Sequence, residues 1–340
     1  MQCRLSALGG PNVSRIRGAL KQQVEKAFYT TGLQTLLRKC LPSNYPAILR
    51  YHSISNGSDL VSKGITVNSE HFEEQVQYFS RNFTIIKMSE LVEHIKKREK
   101  FPQNALVFTF DDGYRDNYEA AKILHKYGAS GMFYITAGCI ESEERFWVAE
   151  IRYLFTRTQY SQVHVSVGQR SVDATWHDSA SLDEAMRKLT HVIKTVDVPT
   201  REAIRRQLWN QFDDVPPFPI DLMLTWQQLR DMVTMGMEIG GHTMTHANLP
   251  SAKTHEAWHE ISACKSLLEN QLDIEVKHFA YPNGGSVQHY DDRIKELVEK
   301  AGFLSASTSK PARITLDADL FELRRMRATE YLFEMLWEIA

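Results

Sequence analysis

Apolar positions follow two rhythms along most of the chain. Short, almost wholly apolar runs (Ala47-Ile48-Leu49, Ala105 to Phe110, Ser130 to Thr136) read as buried strands. Between them apolar residues recur at helical spacing: Phe72, Val76 and Phe79; then Leu91, Val92 and Ile95; then Ala120, Ile123 and Leu124. Asn68 or Ser69 is placed to cap the first helix and Ser89 the second, and Gly128 stops the third. Further on, Trp226 to Met237 predicts a helix, Met237 to Gly241 a strand and Ala252 to Gln271 a long helix. Val276 to Tyr281 is a strand, 291–301 a helix ended by Gly302, and Phe303 to Ser307 a strand. Repeated strand–helix units imply a parallel sheet with helices outside it, as a barrel or a doubly wound sheet.

The rhythm pauses between about 140 and 224. Val163, Val165 and Val167 alternate, Gly168-Gln169 suits a tight turn, and Val172 and Ala174 return. Two helical stripes follow, Leu182-Met186-Leu189-Ile193-Val196 and Ile204-Leu208-Phe212, before Pro216, Pro217 and Pro219 close the segment like a linker. The pattern reads as an inserted subdomain, either a lid over a site or a surface for self-association. The expected organisation is a basic helical extension over 1–44, an α/β unit over 45–139 and 225–330, and the insert over 140–224.

Composition narrows the class. With 340 residues, 43% apolar and 24% charged, the chain can bury a full core, and disorder or collagen-like repeats are excluded. A net charge of −2 argues against a dedicated nucleic-acid binder. Cys3, Cys40, Cys139 and Cys264 form no CxxC pair and suggest neither a disulfide framework nor a thiolate metal site. The first fifty residues, however, carry a net +7, and Ile16, Leu20, Val24 and Phe28 recur every four residues. That predicts an amphipathic helix, packed on the domain or touching an anionic membrane through residues 1–45. No apolar run is long enough to span a membrane and no signal-peptide core is evident, so the expected location is the cytoplasm, with membrane association open.

Four segments carry candidate chemistry, each just past an apolar run. Thr109-Phe110-Asp111-Asp112-Gly113 places two acids at a strand end. Neighbouring side chains on an extended chain point apart, so one acid can bind a cation while the other accepts a proton; a helix cap and turn is the plain alternative. His242-Thr243-Met244-Thr245-His246 spaces two imidazoles so that both face one side if the chain turns helically, and His with a carboxylate suits zinc and similar ions. Phe279-Ala280-Tyr281-Pro282-Asn283-Gly284-Gly285 offers backbone N–H groups to an oxyanion, or is an ordinary turn. Tyr51-His52 ends the fourth run. Trp147, Trp176, Tyr281 and Trp226 are aromatic candidates for stacking on a ligand face, although large aromatics are more often core.

In this order, TFDDG (109–113), HTMTH (242–246) and FAYPNG (279–284) resemble the polysaccharide deacetylase family, carbohydrate esterase family 4, whose catalytic unit is the nodulation-type chitooligosaccharide deacetylase domain. The resemblance spans about 45–136 and 225–327 and leaves the insert uncovered. It implies a distorted (β/α)7-type barrel carrying an inserted subdomain and an N-terminal helical extension. The implied activity is hydrolysis of N-acetyl or O-acetyl groups from an acetylated carbohydrate: a polysaccharide, oligosaccharide or glycolipid precursor. Asp112, His242 and His246 are then the ligands of a divalent metal, zinc foremost, and Asp111 is the base. The Asn283 N–H helps hold the oxyanion, and His52 is the general acid. Ala280 stands where many members carry an arginine that steadies the base, and Arg325 is the candidate to supply that contact from the last strand. The late Leu-x-His segment that often supplies the acid is not evident. Two rivals remain on the same residues: a hydrolase of a non-sugar amide or imide, and a carbohydrate-binding relative without turnover. The sequence leaves the oligomeric state open.

Overall fold

The computed structural model describes residues 40–339 except 58, 59, 169, 219 and 220, preceded by 23, 26, 27, 29–32 and 36. Ile16, Leu20, Val24 and Phe28, which carry the expected N-terminal amphipathic helix, lie outside the described residues. Among those described, no helix is long and apolar enough to cross a membrane.

In chain order the strands are β1 (Ala47–Tyr51), β2 (Ser53–Ile54), β3 (Thr66–Val67), β4 (Thr84–Ile85), β5 (Ala105–Phe110) and β6 (Gly131–Ile135). They continue as β7 (Gln162–Val167), β8 (Arg170–Thr175), β9 (Glu238–Gly241), β10 (His278–Ala280), β11 (Ser305–Ser307) and β12 (Met326–Arg327). The main sheet is parallel throughout, in the order β11-β10-β9-β6-β5-β1-β12, with β4 paired to the start of β5. Leu323 bridges to Ser307 of β11, while Met326 pairs with Leu49 of β1. One short segment therefore joins the two edges and curls the seven strands into a barrel. Parallel strands need crossovers, and the helices Ser69–Asn82, Asn117–Lys126, Trp226–Thr234, Thr254–Leu272 and Asp292–Lys300 supply them.

Strand alternation sorts the side chains into two layers. Leu49, Tyr51, Phe108, Phe110, Phe133 and Ile135 face outward into the core under the helices. There Phe110 and Phe133 stack at 4.5 Å, and each fully buried ring is worth about 2–3 kcal/mol. Ile48, Val107, Met132, Tyr134 and Ala280 face inward. They meet Met88, Leu91, Val92 and Ile95 of the helix Met88–Lys97, which plugs the end of the barrel where the strands begin. Ser89 does not cap this helix as expected: it lies within its first turn. The Glu238 carboxylate at the start of β9 accepts the Met88 and Ser89 N–H groups instead, and the Ser89 hydroxyl pairs with His278 Nε2 at 2.9 Å. The orphan donors of the helix are thus satisfied from across the barrel, which no local pattern announces.

The segment 140–224 holds the antiparallel hairpin β7–β8, with Val165 opposite Val172, and the helices Ser179–Ile193 and Val198–Gln211. It also holds a helix the sequence reading passed over, Trp147–Arg157. Its signal was present in Trp147, Ile151, Leu154 and Phe155, at helical spacing on a buried face. Pro217 and Phe218 are no free tether, because Phe218 is buried and the Pro217 carbonyl accepts from the Tyr153 hydroxyl at 3.2 Å; Pro219 lies outside the described residues.

Candidate active site

The plug at one end leaves the C-terminal ends of the strands to hold the polar groups. Past β5, the Asp111 N–H still donates to the Tyr51 carbonyl (3.1 Å), so Asp111 keeps the inward parity of Val107 and Thr109. Asp112 turns into the left-handed region at φ 79°, and its carbonyl accepts from the Thr136 N–H at 3.2 Å. The two neighbouring carboxylates therefore diverge.

Asp111 meets Arg325. Nη1 lies 2.6 Å from Oδ1 and Nη2 lies 2.8 Å from Oδ2, a bidentate pair. Arg325 is 1% exposed and is fixed on every side. Its Nε donates to the Thr308 carbonyl (3.0 Å), Nη1 to Thr109 Oγ1 (3.1 Å), and its guanidinium lies 5.3 Å from the Tyr134 ring centre. Burial opposes ionisation of Asp111, but the nearby charge of Arg325, with His242 and His52, outweighs it and holds the carboxyl down to about 2. Ala280 is fully buried and adds its carbonyl to the site rather than a charge.

Asp112 faces the two imidazoles. Its Oδ1 lies 3.4 Å from Nε2 of His242 and 3.4 Å from Nε2 of His246. The His242 N–H donates to the Ile135 carbonyl (2.9 Å), which sets the residue at the end of β9 beside β6. Its Nδ1 lies 2.8 Å from the Ala280 carbonyl; a carbonyl only accepts, so Nδ1 carries the proton and Nε2 presents its lone pair. The His246 ring packs edge-on against Phe146 (5.3 Å) and beside Trp147 (5.9 Å). Burial lowers the affinity of His246 for a proton, with Asp112 pulling the other way. For Asp112 burial again opposes ionisation, and the facing imidazoles of His242 and His246 carry it well below the usual carboxylate range.

The imidazoles do not converge through a helical turn, as their spacing had suggested. Thr243 (φ 65°) and His246 (φ 55°) adopt left-handed backbone instead. Gly138 permits the tight path: its N–H donates to the Met244 carbonyl, and a Cβ there would lie 2.6 Å from that oxygen. Of the eight described non-glycine residues at positive φ, four (Asp112, Thr243, His246 and Asn283) belong to this end of the barrel, a concentration of backbone strain typical of functional sites.

Do these residues fit a metal? A tetrahedral ion with bonds of about 2.0–2.2 Å puts its donors roughly 3.4 Å apart, the separation found from Asp112 Oδ1 to each Nε2. All three donor atoms lie within 4.8 Å of one another on buried residues. Asp112 Oδ1 is buried with no hydrogen-bond partner, the state expected of an atom awaiting a cation. The set fits a divalent ion.

His52 continues the inward parity of β1, with Nε2 3.9 Å from Asp111 Oδ2 and its carbonyl held by Asn117 Nδ2 at 2.6 Å. Burial lowers its pKa to about 4 against the pull of Asp112 and Asp111, so its ring is neutral at pH 7. Asn283 follows β10 at φ 71°, and both polar atoms of its side chain are buried without partners. Trp147 and Tyr281, candidates for sugar stacking, are 2% and 1% exposed and form core. Trp176 packs against Phe155 and Phe212 inside the insert. The sequence reading missed Thr308, Tyr134 and Glu260, whose roles arise only from neighbouring strands and helices.

The sequence matches the polysaccharide deacetylase family over residues 98–306. A curated Bacillus subtilis (strain 168) protein named as a polysaccharide deacetylase, YxkH, is 21% identical over 290 residues, covering 85% of this chain and 72% of its own. The fold is similar to that of the Streptococcus pyogenes deacetylase PplD, solved in complex with acetate (TM-score 0.59, 19% identity, 88% of this chain and 99% of that one). It is also similar to IcaB from Ammonifex degensii (TM-score 0.57, 16% identity, 88% and 98%). With the family match extending over more than half of its length, the chain belongs to the polysaccharide deacetylases, hydrolases that remove N-acetyl groups from carbohydrates.

Proposed function

We propose that this chain is a metal-dependent deacetylase that hydrolyses the N-acetyl group of a polysaccharide, an oligosaccharide or a glycolipid precursor, with O-acetyl groups as the alternative target. The observation that carries the reading is the division of labour between adjacent acids: Asp112 shares a buried focus with His242 and His246, while Asp111 is held apart by Arg325. A divalent ion, zinc foremost, held by Asp112, His242 and His246 would supply Lewis acidity and a water acidified from ~15.7 toward ~7.

The chain's own groups account for the proton. Arg325 keeps Asp111 ionised at neutral pH, ready to accept a proton, although a carboxyl near 2 is a weak base and needs an acidified donor. A neutral His52 becomes an acid only after receiving a proton, and its Nε2 lies 3.9 Å from Asp111 Oδ2. A shift of about 1 Å would bring the pair into hydrogen-bond range, so Asp111 can pass the proton to His52 and His52 can pass it to the departing amine. The Asn283 N–H, on left-handed backbone past β10, is the proposed oxyanion donor; one such donor is typically worth roughly 3–4 kcal/mol.

The test is acetate release from N-acetylglucosamine oligosaccharides by zinc-loaded protein, run beside a cyclic imide and with Asp111→Asn. Acetate from the sugar, lost in the variant and after chelation, supports the reading. Imide turnover alone, full activity without metal, or full activity of Asp111→Asn sinks it.

A further inference from the structure

The two histidines are separated by Thr243, Met244 and Thr245, and both sides of Thr245 are occupied. From the barrel helix Thr254–Leu272, Glu260 accepts the Thr245 N–H at Oε2 (2.9 Å) and its hydroxyl at Oε1 (2.7 Å). From the insert helix Val198–Gln211, Arg201 donates Nη1 to the Thr245 carbonyl and Nη2 to Thr245 Oγ1, each at 2.8 Å. Arg201 is 3% exposed, so these are buried, charge-assisted bonds, and its guanidinium lies 6.0 Å from the Trp147 ring centre. Trp147, opening the insert helix Trp147–Arg157, donates Nε1 to the carbonyl of His246 itself (3.2 Å). The two insert helices are locked together behind this contact, because Glu150 accepts from Arg205 Nε and from Trp209 Nε1.

We propose that the insert is part of the frame of the metal centre. Arg201 is a positioning residue that, with Trp147, clamps the Thr245–His246 backbone, so docking of the insert and binding of the ion are coupled. This rests on the reading that Asp112, His242 and His246 hold the ion. The physical basis is the left-handed backbone at Thr243 and His246: that conformation is disfavoured for side-chain-bearing residues and persists only where the surroundings over-determine it. Removing the clamp lets the loop relax toward ordinary dihedrals, and the His246 donor then leaves the focus shared with Asp112. Groups that orient metal ligands from behind typically change affinity 10–100-fold when removed. Because coupling is reciprocal, the ion must in turn tighten the insert.

The test compares zinc affinity, by competition with a chromophoric chelator, in full-length wild type, Arg201→Ala, Arg201→Lys and Leu189→Val. Leu189 is buried in the insert helix Ser179–Ile193 and controls for general loss of insert stability. The expected result is 10–100-fold weaker binding for Arg201→Ala, an intermediate value for Arg201→Lys, and the wild-type value for Leu189→Val. Wild-type affinity in Arg201→Ala, or an equal loss in Leu189→Val, overturns the proposal. Should Arg201→Ala fail to fold, hydrogen exchange in wild type decides: zinc is expected to slow exchange in 198–211, and unchanged exchange overturns it. If wild-type protein binds no zinc at all, the assignment of the metal centre falls instead.

Discussion

The Asp111–Arg325 pair offers a test of why the base is ionised. Arg325→Ala removes the guanidinium and leaves a buried carboxylate with no full positive charge bonded to it. Breaking one partner of a buried pair usually costs about 3–5 kcal/mol, against a total stability of about 5–15 kcal/mol. Loss of the bonds to Thr308 and Thr109 adds to this. With a urea slope of roughly 3 kcal/mol per M, the midpoint of metal-free protein at pH 7 falls by about 1–1.7 M. The pH dependence separates charge from cavity. In wild type the Asp111 pKa is depressed, so its stabilisation is complete above the unfolded value and is lost as pH falls toward about 2. In Arg325→Ala burial goes unopposed by that charge and raises the folded pKa, so acidification neutralises the stranded carboxylate and the gap to wild type narrows toward pH 4. Ala280 provides the second arm. It is buried and faces the barrel interior at the site, where its carbonyl meets His242 Nδ1 at 2.8 Å. Ala280→Arg alone overpacks the barrel and destabilises; combined with Arg325→Ala it restores part of the loss. A gap that does not change with pH, together with a double variant no more stable than Arg325→Ala, refutes the charge-pair account.

Other expectations follow from the same geometry. Asp112→Ala and His242→Ala lose bound zinc by elemental analysis, whereas Asp111→Asn retains it and loses acetate release; retained zinc in the first two contradicts the ligand assignment. Chelation lowers the thermal midpoint of wild type and not of Asp112→Ala, because only a site that binds the folded state stabilises by mass action. His278, between the hydroxyls of Ser89 and Ser305, is held by burial at about 3. Its depressed value means that the unfolded chain binds the extra proton, so stability falls as pH drops below about 6.5. His278→Gln flattens that slope by about 1.4 kcal/mol per pH unit between pH 6 and 4 in urea titrations, and an unchanged slope excludes the residue as a source.

The sequence by itself determined the alternation of strand and helix, the change of rhythm over 140–224, and the segments that carry candidate chemistry. It could do so because those features are local. A strand of Ala105–Phe110 declares itself by six apolar or β-branched positions, and a break such as Asp111-Asp112-Gly113 marks where it ends. Resemblance of the three motifs to one family added the architecture, and the parallel sheet agrees with it. The helix Trp147–Arg157 was legible too and was passed over because its stripe lies inside a segment that otherwise changes rhythm.

Tertiary structure alone decided what holds the site in place. The distance between Asp112 and two imidazoles 130 and 134 positions later is set by the pairing of β5 with β6 and β6 with β9, not by anything near either motif. The convergence of His242 and His246 depends on left-handed dihedrals, a choice that their four-residue spacing did not reveal. The partner of Asp111 comes from a segment more than two hundred residues away, and the amides opening the plug helix end on a carboxylate from β9. Pattern along a chain reports which face of an element is buried. Which charge meets which, and which backbone is forced into a strained turn, depends on strand order and close packing, and these exist only once the barrel has closed.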